Sequence, residues 1–295
     1  MEKKVFFTKD NEEIVYFYSN DKSKKNLVLI HGNLSSMLQW EEIIEEYKDE
    51  FNILAPTLRG FGMSSYKNPI TSIEDLARDI EELIKFLDLK DLIILGWSLG
   101  GGVAMELAYL LRERTKKLIL SASIGVKGFT MYSYNQEDKQ FDFSKTLQSL
   151  DELRKSPYYL PQQKMIEDKN VGMIRVLVQR MFGVGKATEG FINNFLQSAI
   201  RQRNLLELLC SMRNFNITTK INKNGVYGSG HIEKLDMPVL LLHGEKDTII
   251  SKRQSEMGKK WFVNARLILF DGAEHALHMD VWDEWNKEVR DFIVD

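Results

Sequence analysis

Short, almost wholly apolar segments alternate with longer amphipathic segments along most of the 295-residue chain. A short apolar segment is typical of a strand buried on both faces, as in a parallel sheet that helices cover on each side. We predict such strands at residues 26–30, 51–55, 92–95, 117–121, 239–242 and 267–270. Helices are predicted between them at residues 37–48, 73–87, 99–113 and 251–259, and a last one at 281–293. The alternation predicts an α/β fold with a mostly parallel sheet.

Two further segments before the first buried strand have a different character. Residues 4–7 and 14–18 are shorter and more polar, and the turn-forming sequence Lys9-Asp10-Asn11 separates them. This pattern predicts an antiparallel hairpin at the edge of the sheet. With the hairpin included, we expect eight strands, with helices on both faces.

The alternation stops between residues 124 and 235. No strong buried-strand segment occurs there, and the apolar periodicity predicts helices at residues 143–155, 162–181, 188–201 and 205–214. Strands return at residue 239. We therefore predict a core made of residues 1–123 and 236–295, with residues 124–235 inserted after the sixth strand as a helical cap.

Composition excludes several classes of protein. The chain has 40 Lys and Arg residues and 42 Asp and Glu residues, so it has no excess of positive charge that would favour binding to nucleic acid. A single cysteine, Cys210, excludes an intramolecular disulfide and favours a reducing compartment. The charged N-terminus lacks the apolar region of a secretory signal, and no apolar segment is long enough to cross a membrane. We expect a cytoplasmic monomer or homodimer that binds neither nucleic acid nor membrane.

The strongest local signal is Gly96-Trp97-Ser98-Leu99-Gly100, which follows a buried strand and opens a helix. A serine on such a sharp strand-to-helix turn projects its hydroxyl clear of the sheet, and the flanking glycines relieve the crowding. The helix N-terminus adds an unpaired N–H, from Leu99, that can stabilise an oxyanion. Phosphate-binding patterns fail here: no lysine follows the glycines, and Ser98 occupies the second glycine position of G-x-G-x-x-G. No cofactor or metal motif is found elsewhere.

A serine nucleophile needs a base and an acid that orients the base. Asp247 follows the strand at 239–242, and His275 follows the strand at 267–270. Both would lie with Ser98 at the carboxyl edge of the sheet, where open α/β sheets place their sites. The order Ser98, Asp247, His275 is that of hydrolases with a nucleophile elbow.

Other residues compete for these two roles. His278 is the main alternative base, and Glu245 is an alternative acid. His31 and His243 are expected to be structural.

The chain resembles the α/β-hydrolase superfamily over nearly its whole length. Besides the serine turn, His31-Gly32-Asn33 resembles the family's oxyanion loop, which implies that the Asn33 N–H is the second oxyanion donor. Thr57-Leu58-Arg59-Gly60-Phe61-Gly62-Met63-Ser64 resembles the family's D-x-R-G-x-G-x-S loop, with threonine in place of aspartate. The segment 124–235 lies where the family carries its cap.

This resemblance implies a cofactor-independent serine hydrolase that cleaves carboxylic esters of small or medium acyl groups. Trp97, beside the nucleophile, is predicted to contact the substrate. Gln202-Arg203-Asn204-Leu205 and nearby segments are similar to intracellular poly(3-hydroxybutyrate) depolymerase-like members, which implies a hydroxyacyl ester or oligomer. An aminopeptidase or a C–C bond hydrolase using the same triad is the alternative. A catalytically inactive ligand-binding protein on this fold is the alternative from another class.

Overall fold

One eight-stranded sheet organises the chain, as seen in a computed structural model that describes residues 2–294. The strands are β1 (Lys4–Phe7), β2 (Glu13–Tyr18), β3 (Lys25–Ile30), β4 (Phe51–Pro56), β5 (Leu92–Trp97), β6 (Thr115–Ser121), β7 (Tyr132–Asn135), β8 (Gln140–Thr146), β9 (Val239–Gly244) and β10 (Ala265–Phe270). The order across the sheet is β1-β2-β4-β3-β5-β6-β9-β10, and β7 pairs separately with β8. The predicted α/β fold and the edge hairpin β1–β2 are confirmed.

The helices are α1 (Glu41–Tyr47), α2 (Ile73–Phe86), α3 (Leu99–Leu110), α4 (Leu150–Arg154), α5 (Leu160–Glu167), α6 (Val171–Gln179), α7 (Glu189–Ala199), α8 (Leu205–Asn214), α9 (Arg253–Trp261), α10 (Leu277–Asp280) and α11 (Trp282–Val294). Every residue of β4, β5 and β9 is buried, so both faces of the central sheet are covered. β3, β4, β5, β6, β9 and β10 run parallel, which brings their carboxyl ends to one edge. None of the helices in residues 2–294 is both long and apolar enough to cross a membrane.

Helix α2 begins as its sequence predicts. The Ser72 side chain accepts a hydrogen bond from the Asp75 N–H at 3.2 Å, and the Asp75 carboxylate accepts one from the Ser72 N–H at 3.0 Å. This reciprocal cap satisfies two backbone donors at the helix start, and a capping side chain typically stabilises a helix by about 1 kcal/mol. The body of α2 packs against α3, the helix that follows β5.

Between β6 and β9, residues 124–235 form a segment that we call the insert. It contains the hairpin β7–β8 and helices α4 to α8. The predicted helix at 143–155 is wrong, because residues 140–146 form β8 instead and only Leu150–Arg154 is helical. Cross-strand aromatic pairs stabilise the hairpin: Tyr132 with Phe143 and Tyr134 with Phe141 each have ring centroids 5.1 Å apart.

The single helix predicted at 162–181 is also wrong, since the structure has two helices there. α5 ends at Glu167, and Lys169 then takes a left-handed backbone conformation with φ of 48°. Asn170 begins the next helix by accepting a hydrogen bond from the Met173 N–H at 3.0 Å. A single capping asparagine is a weak sequence signal for such a break, because asparagine also occurs inside helices.

A buried ion pair anchors the loop after β4. The Arg59 Nε lies 2.8 Å from one oxygen of Asp79 and its Nη2 lies 2.5 Å from the other, so the contact is bidentate. Asp79 belongs to α2, and both side chains are buried. The pair therefore joins the 57–64 loop to the sheet-covering helix α2.

We predict that Asp79→Ala lowers the free energy of unfolding by about 3–5 kcal/mol, because it leaves the Arg59 guanidinium buried without its counter-ion. Urea denaturation followed by circular dichroism measures the change. The control is Asp291→Ala, which removes an ion pair between Asp291 (50% exposed) and Lys287 (70% exposed). This variant should lose less than about 1 kcal/mol of the free energy of unfolding. Equal small losses in both variants would contradict the anchoring role of Asp79.

Candidate active site

Ser98 occupies the sharp turn between β5 and α3. Its backbone has φ of 58° and ψ of −121°, a left-handed conformation that a serine adopts only under constraint. The glycines on each side are needed sterically. A Cβ at Gly96 would lie 2.3 Å from the Gly100 carbonyl oxygen, and one at Gly100 would lie 2.3 Å from the Ile30 carbonyl oxygen. β5, α3 and β3 therefore pack closely enough to hold the turn in this conformation.

The structure brings Ser98, His275 and Asp247 together. Asp247 follows β9 and His275 follows β10, so both lie at the carboxyl edge of the sheet. The Ser98 Oγ is 2.9 Å from His275 Nε2, within donating distance, and His275 Nδ1 is 2.7 Å from the Asp247 carboxylate. Ser98 is 7% exposed and His275 is 2% exposed. This continuous hydrogen-bonded chain can move a proton from the hydroxyl to the imidazole.

Asp247 is held in its ionised form. Its second oxygen accepts hydrogen bonds from the Ile249 and Ile250 N–H groups, both at 2.8 Å. Burial alone would raise the pKa of Asp247, but the positive charge of protonated His275 and the hydrogen bonds from His243 and His275 hold that pKa below the usual range. A carboxylate at this position fixes the imidazole tautomer and stabilises the imidazolium.

The loop after β3 passes directly beside the nucleophile. A Cβ added at Gly32 would lie 3.1 Å from the Ser98 Cβ, so Asn33 follows within the same close approach. On the other side of Ser98, Leu99 is the first residue of α3, and its N–H has no acceptor within the helix. Asn33 therefore follows a residue that closely approaches Ser98, and Leu99 follows Ser98 directly; their roles as oxyanion donors stay predictions.

His278 has a different environment from His275. It is fully buried among the rings of Trp40, Trp97, Phe191 and Trp285. Within the described residues neither of its ring nitrogens has a hydrogen-bond partner. Burial, helped by the charge of His275, lowers the pKa of His278 to about 3. His278 therefore makes no hydrogen bond to Ser98, which His275 contacts instead.

His31 and His243 are both satisfied by local partners. The His31 Nδ1 is 2.8 Å from the Gly32 carbonyl oxygen, and its Nε2 accepts a hydrogen bond from the Leu58 N–H at 3.0 Å. Burial lowers the pKa of His31 to about 4. His243 lies 2.7 Å from the Ser255 hydroxyl and 2.8 Å from the Ile250 carbonyl oxygen. These contacts make both residues supports for the loops that carry the site.

Two other predicted residues lie at the margin of this arrangement. Trp97 is 1% exposed, and its indole N–H donates to the His275 carbonyl oxygen at 3.0 Å. It supports the histidine loop, and its contact with substrate stays a prediction.

Glu245 pairs with Lys252 at 3.3 Å near the surface, whereas the His275 ring is hydrogen-bonded to Asp247. In residues 2–294 no group of three or more His, Cys, Asp or Glu side chains could hold a metal ion.

Sequence reasoning missed several residues that organise the site. Asp280 accepts hydrogen bonds from the Gly183, Val184 and Gly185 N–H groups of the insert and from the Glu274 N–H beside His275. Gln162 and Gln202 of the insert hydrogen-bond the Asn33 side chain. The sequence pattern that includes Gln202 did not indicate this contact, and no local pattern marks Gln162 or Asp280, since the partners in the other part of the protein lie about 95 to 169 residues away.

Comparison with known proteins adds to this geometry. An uncharacterized protein from Mycobacterium tuberculosis is 34% identical over 100 residues, which are 34% of this chain and only 29% of that protein. A pimeloyl-[acyl-carrier protein] methyl ester esterase from Vibrio parahaemolyticus is 25% identical over 272 residues, covering 92% of this chain and 94% of the enzyme. The solved structure of an esterase from Exiguobacterium antarcticum covers 100% of both chains with a TM-score of 0.73 at 17% identity.

The family assignment rests on most of the chain. The likeness to the solved esterase shows the fold alone, because a sequence identity of 17% carries no information about activity. The sequence model described as the alpha/beta hydrolase fold matches residues 25–280, which include the Asn33 loop, the Ser98 turn and His275. This protein belongs to the alpha/beta hydrolase fold family.

Proposed function

We propose that this protein is a serine hydrolase that cleaves carboxylic esters of small or medium acyl groups through an acyl-enzyme. One observation carries the proposal: the Ser98 Oγ, His275 and Asp247 form a hydrogen-bonded chain of 2.9 and 2.7 Å beside the Gly32-Asn33 loop. The likeness to the Vibrio methyl ester esterase over most of both chains supports an ester as the substrate.

In the first half-reaction, His275 Nε2 takes the proton of Ser98 as the Oγ attacks the acyl carbonyl carbon. The N–H groups of Leu99 and Asn33 stabilise the negative oxygen of the tetrahedral intermediate, and one such donor typically contributes roughly 3 kcal/mol. The carbon–oxygen bond to the leaving alcohol then breaks, and His275 gives that alcohol its proton. Asp247 balances the charge of the imidazolium throughout.

In the second half-reaction, water replaces the alcohol. His275 takes a proton from the water as its oxygen attacks the acyl carbon of the Ser98 ester. The same two N–H groups stabilise the second tetrahedral intermediate. Collapse of this intermediate breaks the bond to the Ser98 Oγ, which regains its proton from His275 and releases the acid.

We further propose that the insert, residues 124–235, acts as a cap over this site. It contacts both sides of Ser98: Gln202 hydrogen-bonds Asn33, and the Met181 carbonyl oxygen accepts from the Ala276 N–H at 2.9 Å, next to His275. A covering segment of this kind favours a small-molecule ester over a folded protein as substrate. The resemblance of residues 202–205 to depolymerase-like hydrolases makes a hydroxyacyl ester or oligomer the substrate to test first.

Ser98→Ala should reduce kcat by more than about 10⁴-fold, because the covalent route is lost and only binding and oxyanion stabilisation remain. The free energy of unfolding should change by less than about 1 kcal/mol. Hydrolysis of p-nitrophenyl butyrate measures kcat, and urea denaturation measures the free energy of unfolding. Ser251→Ala, at an exposed position after Asp247, is the control and should retain full activity.

His275→Ala should lose about as much activity as Ser98→Ala, because members of a triad act as a unit. His278→Phe should keep kcat within about 10-fold, since it replaces a neutral ring that has no partner. Burial lowers the pKa of His278 to about 3, so His278 is neutral at the assay pH and its replacement by Phe removes no charge. A loss of activity in His278→Phe as large as that in Ser98→Ala would assign the base to His278.

A substrate panel separates the remaining reaction classes. We expect p-nitrophenyl acyl esters and hydroxybutyrate oligomers to be hydrolysed faster than aminoacyl anilides, because the similar enzyme of Vibrio parahaemolyticus is a methyl ester esterase. Preference for the anilides would indicate an aminopeptidase instead. A fluorophosphonate probe should label the wild type and not Ser98→Ala, as read by mass spectrometry. Absence of labelling in folded wild-type protein would favour a non-catalytic binding protein.

A further inference from the structure

Three side-chain amides form a chain from the insert to the loop beside Ser98. The Asn33 Nδ2 donates to the Gln162 Oε1 at 3.0 Å, and the Gln202 Nε2 donates to the Asn33 Oδ1 at 2.9 Å. Gln162 lies on α5, and Gln202 follows α7 and is 5% exposed. We call Gln162, Asn33 and Gln202 the amide chain. It joins two parts of the insert through one residue of the core.

Backbone groups at both ends fix the orientation of every amide. The Gln162 Nε2 donates to the Tyr158 carbonyl oxygen at 2.8 Å, which can only accept. The Gln202 Oε1 accepts from the Leu34 N–H at 2.9 Å, which can only donate. Reversing any one amide would set two oxygens or two N–H groups against each other. The chain therefore has one orientation in which all four hydrogen bonds form.

The amide chain acts on a strained stretch of backbone. Leu34 has φ of 58°, a left-handed conformation that is unfavourable for leucine. Gln202 holds the Leu34 N–H and the Asn33 side chain at once, while Gln162 holds the other side of the Asn33 amide. Asn33 is thereby restrained from both sides and through the peptide that follows it.

We propose that Gln202 is a positioning residue for the oxyanion site, and that the amide chain keeps the Asn33 N–H directed at the substrate oxygen beside Ser98. The inference rests on the proposed hydrolase function, because it assigns the Asn33 N–H as an oxyanion donor. It also makes the geometry of that donor depend on contact with the insert. A donor held before the reaction contributes most, because it needs no reorganisation as charge develops.

Gln202 can be changed without releasing the insert, since its neighbours dock independently. The Arg203 N–H donates to the Gly60 carbonyl oxygen at 2.9 Å, and the Asn204 Nδ2 donates to the Arg59 carbonyl oxygen at 2.9 Å. Residues 202–204 therefore contact two core loops. Of these three residues, Gln202 is the one that hydrogen-bonds the loop beside Ser98.

The test measures kcat and KM for p-nitrophenyl butyrate in four variants. Gln202→Ala should lower kcat by about 10–100-fold with KM nearly unchanged, because a small misplacement of a catalytic group can cost this much. Gln162→Ala should lower kcat less, since Gln202 still holds the loop. Gln163→Ala is the matched control: its Nε2 contacts Glu167, one turn along α5, so it should behave as wild type.

Gln202→Glu separates polarity from packing. It keeps the size of the side chain and an oxygen for the Leu34 N–H, but a carboxylate cannot donate to the Asn33 Oδ1. Flipping Asn33 and then Gln162 would only move the oxygen–oxygen contact to Tyr158. We therefore expect Gln202→Glu above its carboxyl pKa to lose kcat as Gln202→Ala does. Unfolding curves in urea show whether each variant is folded.

The outcomes distinguish this inference from the proposed function. If wild type hydrolyses the ester while folded Gln202→Ala and Gln202→Glu retain its kcat, the positioning role is wrong and the hydrolase function stands. A rise in KM with kcat unchanged would also overturn it, because it indicates uniform binding. If Gln202 variants do not fold, Gln162→Ala decides: wild-type kcat in that variant overturns the inference. If wild type neither hydrolyses esters nor reacts with a fluorophosphonate, the proposed function itself fails.

Discussion

The left-handed backbone of Ser98 is the constraint on which the rest of the site depends. Three backbone hydrogen bonds hold it: the Ser98 N–H donates to the Ser121 carbonyl oxygen, and the Ser98 carbonyl accepts from Gly101 and Ile124. A strained residue of this kind costs on the order of 1–3 kcal/mol, and it persists only where its surroundings determine it fully. The buried strands and α3 provide those surroundings, so the packing of the core maintains the backbone conformation of Ser98.

The core and the insert share the site. Parallel strands bring Ser98, Asp247 and His275 to one edge of the sheet, and the loops there belong to the core. The insert contacts the site in two places. Gln162 and Gln202 hydrogen-bond Asn33 in the amide chain, and the Val184 N–H of the insert donates to Asp280 of the core. The insert is therefore hydrogen-bonded both to the loop that carries Asn33 and to the loop that carries His275.

Much of the fold could be predicted from the sequence, and the failures have physical reasons. Strands buried on both faces are recognisable because they must be apolar throughout. The helix predicted at 143–155 overlaps the end of β8, because Phe141 and Phe143 lie on an exposed hairpin, where their partners on β7, rather than burial, stabilise the strand. The break between α5 and α6 was not predicted because it depends on Asn170 as a cap. Asparagine also occurs on the exposed faces of uninterrupted helices, so it does not mark a helix start by itself.

By itself, the sequence determined that a serine stands on a strand-to-helix turn, and that an aspartate and a histidine follow later strands. These are local facts, because composition and spacing decide where strands and turns form. Only the tertiary structure decided that His275 rather than His278 contacts Ser98, and that Gln162 and Gln202 hold Asn33. Such contacts join residues up to 177 positions apart, and packing alone sets the distances between them.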